Sequence, residues 1–330
     1  MFLRGEDINI GLGVETTRGT GVSPAVFIPG KTPAGVSVDV DKTLIKETRA
    51  SKISSQGSEI TRIAAGGNLE FNLRVSSIGY LLKSLLGAVS SAVAGGESAV
   101  YNHTFSILPG NPQHPSLTLA LSKPGIQDYE YPLALVKSLE IRTPVNDLIN
   151  ATAAFLAQKE NTHAAYTPVF VANDYYFRHQ DVVIKLADNV AGLAAASPIK
   201  VKNFKFGVDN KGRFNQNVSE LNPSDVIADI FNLEGEMQLD LVDTSLHDIF
   251  TAGSYKALQL KMIRSDITIG TASNPAVTIT LPKVSFESFN ENRKIDDIVE
   301  QTVKFMAHYS ASDAMAIQAV VTNEKANYNS

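Results

Sequence analysis

One pattern occurs twice in this sequence and constrains what the chain can fold into more than any other feature. Residues 67–82, GNLEFNLRVSSIGYLL, alternate apolar and polar side chains and then carry an apolar stripe at helical spacing. Residues 235–250, GEMQLDLVDTSLHDIF, repeat both parts in the same order. Leu69 corresponds to Met237, and this offset of 168 residues (237 less 69) holds from the strand through the helix. The pattern predicts a β-strand followed by a short helix in each half of the chain.

Further matches flank this block in the same order. They are Val36, Val38 and Val40 with Phe204, Phe206 and Val208; Leu117, Leu119 and Leu121 with Leu258, Leu260 and Met262; Leu139 and Glu140 with Phe286 and Glu287; and Ala153 and Phe155 with Val303 and Phe305. A repeat of this kind indicates duplicated structural units. We predict a mainly β fold with short helices, sandwich-like or barrel-like, in which two duplicated domains each have a β-sheet flanked by one main helix. One large all-β domain with similar-looking strands is the alternative.

The segments outside the repeat set the predicted domain boundaries. Residues 1–33 are rich in glycine and proline, which break regular structure, and we expect them to form an extended N-terminal arm. The first domain is predicted to span residues 34–160 and the second residues 199–330. Residues 161–198 are too apolar for a flexible linker, so we predict an ordered connector.

Composition and motifs argue against several classes of protein. The net charge of −5 argues against a high-affinity nucleic-acid binder, which usually presents a basic face. The chain has no cysteine for a disulfide or a thiolate metal site, its six histidines lack metal-ligand spacing, and no G-x-S-x-G motif occurs. No stretch approaches the roughly 20 apolar residues of a membrane-spanning helix. We predict a structural protein without enzyme activity, metal or cofactor.

A family resemblance enters at the N-terminal segment GLGVETTRGTGVSPAVFIPG. Its Gly-Val-Glu-Thr-Thr-x-Gly-Thr run, leading to an apolar Phe-Ile-Pro, resembles the arm of phage tail tube proteins, the major tail proteins of siphophage-type tails. The strand order and single helix of each half are also similar to the tail tube fold. Families with this fold include rings of six single-domain subunits and rings of three two-domain subunits, and the duplication fits the second arrangement.

The resemblance implies a structural virion protein, made in the host cytoplasm, that forms homotrimeric, pseudo-sixfold rings. Stacked rings would make a tube that conducts double-stranded DNA into the host cell without binding it specifically. The implied partners are other copies of the chain, the tail tape measure protein, the tail terminator and the baseplate or tip proteins.

Two sets of residues are candidates for this function. The alternation puts short polar or acidic side chains on the sheet face opposite the core, where a closed ring would line the bore with them. The bore-lining candidates are Glu70, Asn72, Glu140, Gln238, Asp240 and Glu287. The long polar connection 41–66 would, by the resemblance, reach the neighbouring ring. Its inter-ring contact candidates are Lys42, Lys46, Arg49, Lys52 and Arg62.

Two alternatives share the same strand pattern. The first is a β-sandwich virion module that binds a receptor or carbohydrate. The absence of tryptophan counts against it, whereas exposure of the aromatic run Tyr175, Tyr176 and Phe177 would support it. The second is a tail terminator or connector ring protein.

Overall fold

The alternating runs of the sequence form antiparallel strands, as a computed structural model shows. It describes residues 3–31, 35–49, 52–293, 295 and 298–329. These residues form two α-helices, α1 (Ile78–Leu86) and α2 (Ser245–Thr251), three short 3-10 turns and twenty strands. The mainly β fold class is therefore confirmed.

Ten strands belong to the first half of the chain. They are β1 (Asn9–Val14), β2 (Val26–Ile28), β3 (Ser37–Ile45), β4 (Gly57–Asn72), β5 (Gly87–Val93), β6 (Tyr101–Ile107), β7 (Leu117–Ser122), β8 (Asp128–Pro144), β9 (Asn150–Ala157) and β10 (Asn161–His163).

Ten more strands follow in the second half. They are β11 (Val182–Ala187), β12 (Pro198–Ile199), β13 (Asn203–Asp209), β14 (Arg213–Asn215), β15 (Asp225–Ile227), β16 (Asn232–Asp240), β17 (Lys256–Ile263), β18 (Ala276–Asn292), β19 (Glu300–Ala307) and β20 (Gln318–Asn323).

One sheet runs through both halves. Its strand order is β3-β4-β9-β8-β13-β16-β19-β18, and every neighbouring pair is antiparallel. The halves meet where β13 pairs with β8, from Asn203 opposite Pro144 to Asp209 opposite Ser138. We call this eight-strand arrangement the shared sheet. Its core face carries the apolar members of each alternation, such as Phe71, Ile141 and Phe206.

A second group of strands covers the core in each half. In the first half the order is β2-β1-β7-β8-β10, and in the second it is β12-β11-β17-β18-β20. The long strands β8 and β18 take part in both the covering group and the shared sheet. The insertion β5–β6 follows α1 and pairs with β20, so it joins the first half to the second.

The positions of two β-bulges define how the halves correspond. One bulge lies between Val136 and Ser138, and its counterpart lies between Phe286 and Ser288. Val136 therefore corresponds to Phe286, an offset of 150 residues (286 less 136), and the match of Leu139 with Phe286 drawn from the sequence is wrong by three residues. The loops before β8 and β18 differ in length, and alternation alone does not reveal where a bulge adds a residue.

The predicted extended arm contains two strands of the fold. β1 lies between β2 and β7, and Ile10 and Leu12 are buried in the core. Gly11 and Gly13 suit this position, because a Cβ on Gly13 would lie 2.7 Å from the carbonyl oxygen of Ser23. The expectation that glycine and proline exclude regular structure here is wrong for these strands, since the glycines instead allow close packing. Pro33, at the end of the predicted arm, lies outside the described residues.

The predicted connector contains the second half's versions of these strands. Ile184 lies opposite Ile199 in the β11–β12 pair, as Ile10 lies opposite Ile28 in the β1–β2 pair. The proposed boundaries at 160 and 198 stay a prediction.

The two helices have different surroundings. Every residue of α1 is buried, whereas Leu246 is the buried residue of α2. The first turn of α1 is capped from the connector, because Asp174 Oδ1 accepts hydrogen bonds from the backbone N–H groups of Ser76 (2.6 Å) and Ser77 (3.2 Å). Burial of Asp174 raises the pKa of its carboxyl, although these hydrogen bonds oppose the shift.

Candidate assembly surface

The polar face of the shared sheet brings most of the bore-lining candidates together. Glu70 and Glu140 both lie opposite Thr152, on either side of β9. Two residues further along β4, Asn72 lies in a row of paired residues that continues across the halves. That row is Asn72, Asn150, Arg142, Lys205, Glu236 and Lys304.

The acidic side chains of this face are balanced by cations. Glu140 accepts from Arg142 Nε at 2.5 Å and from Lys205 Nζ at 2.8 Å, so its partners come from both halves. Partial burial tends to raise the pKa of Glu140, but the hydrogen bonds from Lys205 and Arg142 outweigh it and lower the pKa. The alternation could have identified Arg142, two residues from Glu140; Lys205 could not be found without knowing that β13 pairs with β8.

A second charged group lies where β16 and β19 meet. Lys202 Nζ is 2.6 Å from Asp240 Oδ1 and 2.8 Å from Glu300 Oε1. Gln238 Nε2 donates to Glu300 Oε2 at 2.5 Å. Hydrogen bonds from Lys202 to these carboxylates raise the pKa of its ammonium group, which keeps the cation charged. This part of the face is polar with paired charges.

Glu287 occupies a different kind of position from the other candidates. It is the residue between Phe286 and Ser288 that the bulge leaves without a partner on β19, and Ser285 donates a hydrogen bond to it. The strand register makes Asn290, not Glu287, the counterpart of Glu140.

The shared sheet has an available edge at each end. β3 pairs with β4 on one side, and residues 285–292 of β18 pair with β19 on one side; the described residues contain no strand on their other sides. The core-face side chains of β3 are consequently exposed, Val38 by 39% and Val40 by 37%. In β13, Phe206 and Val208 are exposed by only 2% and 4%, because β8 covers that edge.

The inter-ring candidates divide into two groups. Lys42, Lys46, Arg49 and Lys52 are exposed on the β3–β4 hairpin. Arg62 instead binds the base of the hairpin, with contacts of 2.8 Å to Asp41 and 3.2 Å to Asp39. Its guanidinium also lies 5.1 Å from the centre of the Phe214 ring.

Two residues of the N-terminal motif, Glu15 and Arg18, hold neighbouring segments of the chain together, and neither was among the predicted site residues. Glu15 accepts hydrogen bonds from Gly19 N–H and Leu133 N–H, both at 2.7 Å. Arg18 donates to Asp225 Oδ1 at 2.8 Å and thereby holds the β14–β15 segment of the second half. The Glu-Thr-Thr-Arg-Gly run was the signal that could have identified both.

The aromatic run at residues 175–177 is not the exposed platform that would support binding of a sugar or receptor. Phe177 is fully buried and Tyr175 is half-buried. Tyr176 is 41% exposed, and its ring lies against the guanidinium groups of Arg74 and Arg264, so the three residues do not form one exposed aromatic cluster. Among the described residues, no cluster of three or more His, Asp or Glu side chains could hold a metal ion.

Comparisons with known proteins add one finding. A family model with the description "Phage tail tube protein" matches residues 5–307, which is nearly the whole chain. No curated protein matches the sequence. Within the described ranges, no helix combines the length and apolar character needed to cross a membrane.

Proposed function

This chain belongs to the phage tail tube protein family, and we propose that three copies form a closed ring that stacks into a DNA-conducting tube. The protein is thus a structural component of the virion tail. The number of chains, the stacking and the conduction of DNA are the proposed parts.

The observation that carries the proposal is the junction between the two halves. β13 of the second half pairs with β8 of the first half and buries Phe206 opposite Ile141. β3 corresponds to β13, and the C-terminal part of β18 corresponds to that of β8. A second copy could repeat this junction by placing its β3 on the available edge of β18, with Val38 and Val40 beside Phe289.

Repeating the junction around a ring would leave no open edge in the sheet. Unpaired strand edges promote uncontrolled association, and closure removes them. Each chain supplies two similar halves, so three chains supply six, the symmetry expected of a tail tube ring. Val38 would then be buried like Val208, which the strand register makes its counterpart in β13.

The polar face of the shared sheet would line the bore. Duplex DNA carries one negative charge per roughly 1.7 Å, and each free cation on the protein adds affinity by releasing counterions. Arg142 and Lys205 face this side, but Glu140 binds both of them. A lining of neutralised cations, together with acidic residues such as Glu70, would let DNA pass without holding it.

The same function implies the remaining partners and the location. The tube would be assembled from chains made in the host cytoplasm and would enclose the tape measure protein. Its ends would contact the tail terminator and the baseplate or tip proteins. The proposed role is structural, and no catalytic step is part of it.

Electron microscopy of the concentrated protein, combined with native mass spectrometry, tests the proposal. We expect rings or tubes, and dissociation products that contain three chains. Particles of one or two chains that never assemble over a wide range of concentration and salt would contradict the tube. Closed rings that never stack would instead indicate a terminator or connector.

A further inference from the structure

The two halves of the chain are joined at two places. On the shared sheet they meet through β8 and β13. On the covering side, β6 of the first half pairs with β20 of the second half, from Ser106 opposite Gln318 to Tyr101 opposite Asn323. Residues 324–329 follow β20 and continue onto the first half, and we call them the tail segment.

Tyr328 anchors the tail segment in the first half. Its side chain is fully buried, and its aromatic ring packs edge-on against Tyr80 of α1, with ring centres 5.1 Å apart. The ring centre also lies 4.7 Å from that of His103 and 5.7 Å from that of Phe105, which are both on β6. One side chain of the second half therefore contacts both α1 and the β5–β6 insertion.

Gly79 leaves the space that this aromatic ring occupies. It lies inside α1, where glycine is less favourable than alanine. A Cβ at this position would lie 2.1 Å from the Tyr328 ring, which is too close for any real contact. In α2 the corresponding residue is His247, whose side chain is 49% exposed. The tail segment thus explains a glycine that the helix alone does not favour.

Hydrogen bonds between the halves surround the aromatic ring. Tyr328 Oη donates to the carbonyl oxygen of Ser76 at 2.9 Å and accepts from Asn323 Nδ2 at 2.7 Å. Asn323 is buried as well, and its Nδ2 also donates to the carbonyl oxygen of Val75 at 3.2 Å. Buried polar groups that satisfy one another favour a single arrangement of the elements that carry them.

A buried lysine of α1 binds the same segment. Lys83 Nζ donates to the carbonyl oxygen of Tyr328 at 2.7 Å and to Asn329 Oδ1 at 3.1 Å. A buried ammonium group is costly without acceptors, and the tail segment supplies them. Thr251 stands at the corresponding position of α2 and is exposed. Lys83, like Gly79, suits a helix that is covered by the tail segment.

The β5–β6 insertion depends on this contact for its position in the first half. Among the described strands, β5 pairs with β6 alone, and β6 pairs with β5 and with β20 of the second half. No sheet of the first half therefore holds the insertion. It is attached there by its packing on α1 and by the contact of Phe105 with Tyr328. The tail segment completes the link between the halves on the covering side.

The junction proposed between chains lacks this link. Residues 252–255 are all that separates α2 from β17, whereas the β5–β6 insertion lies between α1 and β7. β10 is the first half's counterpart of β20, because each pairs with the N-terminal part of a long strand, β8 or β18. The described residues contain no strand on the other side of β10. The link through the tail segment thus belongs to the junction within each chain.

We propose that the tail segment is a clamp that fixes the angle between the two halves and thereby the curvature of the ring. The proposal rests on the ring of the proposed function and identifies the contact that lets it close after three chains. The available edges of β3 and β18 lie on different halves, so closure requires a fixed orientation of one half relative to the other.

Pairing in the shared sheet does not fix that orientation by itself. The rotation between neighbouring strands of a sheet ranges from about −10° to −35°. The β8–β13 pairing alone therefore permits a range of angles between the halves. A second attachment on the covering side, away from the shared sheet, restricts this range. Tyr328, Gly79 and Lys83 are in this sense positioning residues for ring closure.

Substitutions in the full chain test the clamp by electron microscopy. Tyr328→Ala removes the aromatic ring, and Gly79→Ala fills the space that the ring needs. With either variant, single chains, open arcs and rings of mixed size should replace closed rings of three chains. Tyr328→Phe keeps the packing and should form closed rings. The matched control Tyr309→Ala removes a tyrosine that is 63% exposed and should also form closed rings.

Hydrogen exchange in the isolated chain locates the change. In Tyr328→Ala, exchange of residues 78–86 and 101–107 should rise by more than about tenfold, because a large buried side chain that holds them is lost. Residues 203–209 of β13 should keep their protection. Adding Gly79→Ala to Tyr328→Ala should cause no further loss of protection, because the added Cβ then meets no aromatic ring.

The outcomes separate the clamp from the proposed function. Closed rings of three chains formed by Tyr328→Ala would overturn the clamp but leave the ring in place. Unchanged exchange in α1 and β6 would overturn it too, and so would loss of protection throughout β13, which would indicate a general role in stability. Failure of the unmodified protein to form rings under any condition would overturn the proposed function together with the clamp.

Discussion

Phe206 lies opposite Ile141 in the shared sheet, and both side chains are buried although they come from different halves of the chain. Phe206 also stacks on Phe305, with ring centres 6.4 Å apart. This contact makes the halves one continuous sheet. It is also the pattern that we propose a neighbouring copy repeats at β3 and β18.

Replacing Phe206 with alanine should destabilise the isolated chain. A buried Phe→Ala change removes apolar contacts and leaves a cavity, at a cost of about 3–5 kcal/mol. Denaturant unfolding measures the loss. The control Val218→Ala, at a side chain that is 96% exposed, should change the free energy of unfolding by less than about 0.5 kcal/mol. A loss below about 1 kcal/mol for Phe206→Ala would contradict the role of this contact.

The variant Val40→Asp should prevent ring formation without unfolding the chain. Val40 is partly exposed in the single chain, so a charge is tolerated there, but pairing of β3 with β18 would bury that charge. Light scattering on a size-exclusion column should show single chains, with circular dichroism unchanged. Ile126→Asp, a similar change at the β7–β8 turn, should still assemble. Rings of Val40→Asp would rule out this edge as the junction.

The variant Glu140→Gln should make assembled tubes hold DNA. It removes the carboxylate that neutralises Arg142 and Lys205. Each freed cation that contacts a phosphate steepens the fall of log K with log salt concentration by about 0.9. Fluorescence anisotropy of a short labelled duplex, titrated with tubes from low to moderate salt, measures the effect. Glu6→Gln is the control, and equal DNA binding by both variants would contradict a bore lined by Glu140.

Arg18→Met should release the β14–β15 segment from the first half. Arg18 donates to Asp225 at 2.8 Å and to the carbonyl oxygens of His114 and Val226. Hydrogen bonds to charged groups contribute about 1.5–3 kcal/mol each, so protection of residues 213–227 from hydrogen exchange should fall. The shared sheet should keep its protection. Arg213→Met, which removes an exposed ion pair with Asp229, should have little effect.

Stability should fall as the pH drops below the ordinary range of histidine. His103 is fully buried between Ser91 and the Lys325 carbonyl oxygen, and burial lowers its pKa more than its hydrogen bonds raise it. The unfolded chain therefore takes up the proton more readily than the folded chain. The contribution of neutral His103 to the free energy of unfolding is present above pH 6.5 and is lost as the pH falls through the lowered pKa of the folded state.

Thermal unfolding at pH 7.5 and pH 5.5 tests whether stability falls with pH in this direction. The variant His103→Gln should lose less stability between the two values than the unmodified chain does. His247→Gln, at an exposed histidine, should lose as much as the unmodified chain. Identical losses for all three proteins would contradict the assignment to His103.

Local patterns predicted the elements whose side chains alternate regularly. Leu69 and Phe71 marked β4, and the spacing of Leu81 and Leu85 marked α1, because these residues meet the core at the period of their own element. The polar face followed from the same alternation. Glu70 and Glu140 could therefore be placed on one surface before their strands were known to flank β9.

Long-range contacts decided what the sequence did not predict. β1 is held in the sheet by β7, more than 100 residues away in the chain, and that pairing outweighs the low strand preference of Gly11 and Gly13. The position of Glu287 depends on a bulge, and the neutralisation of Glu140 depends on Lys205 across the junction of the halves. Neither the bulge at Glu287 nor the pairing of Glu140 with Lys205 is marked by a pattern in the neighbouring sequence.

A cryo-electron microscopy map of the assembled protein tests the central claim most directly. We predict a ring of three chains in which β3 of each chain pairs with residues 285–292 of β18 in the next, and in which Val38 and Val40 are buried beside Phe289. A ring in which β3 keeps an unpaired edge, or one built from six chains, would contradict this account.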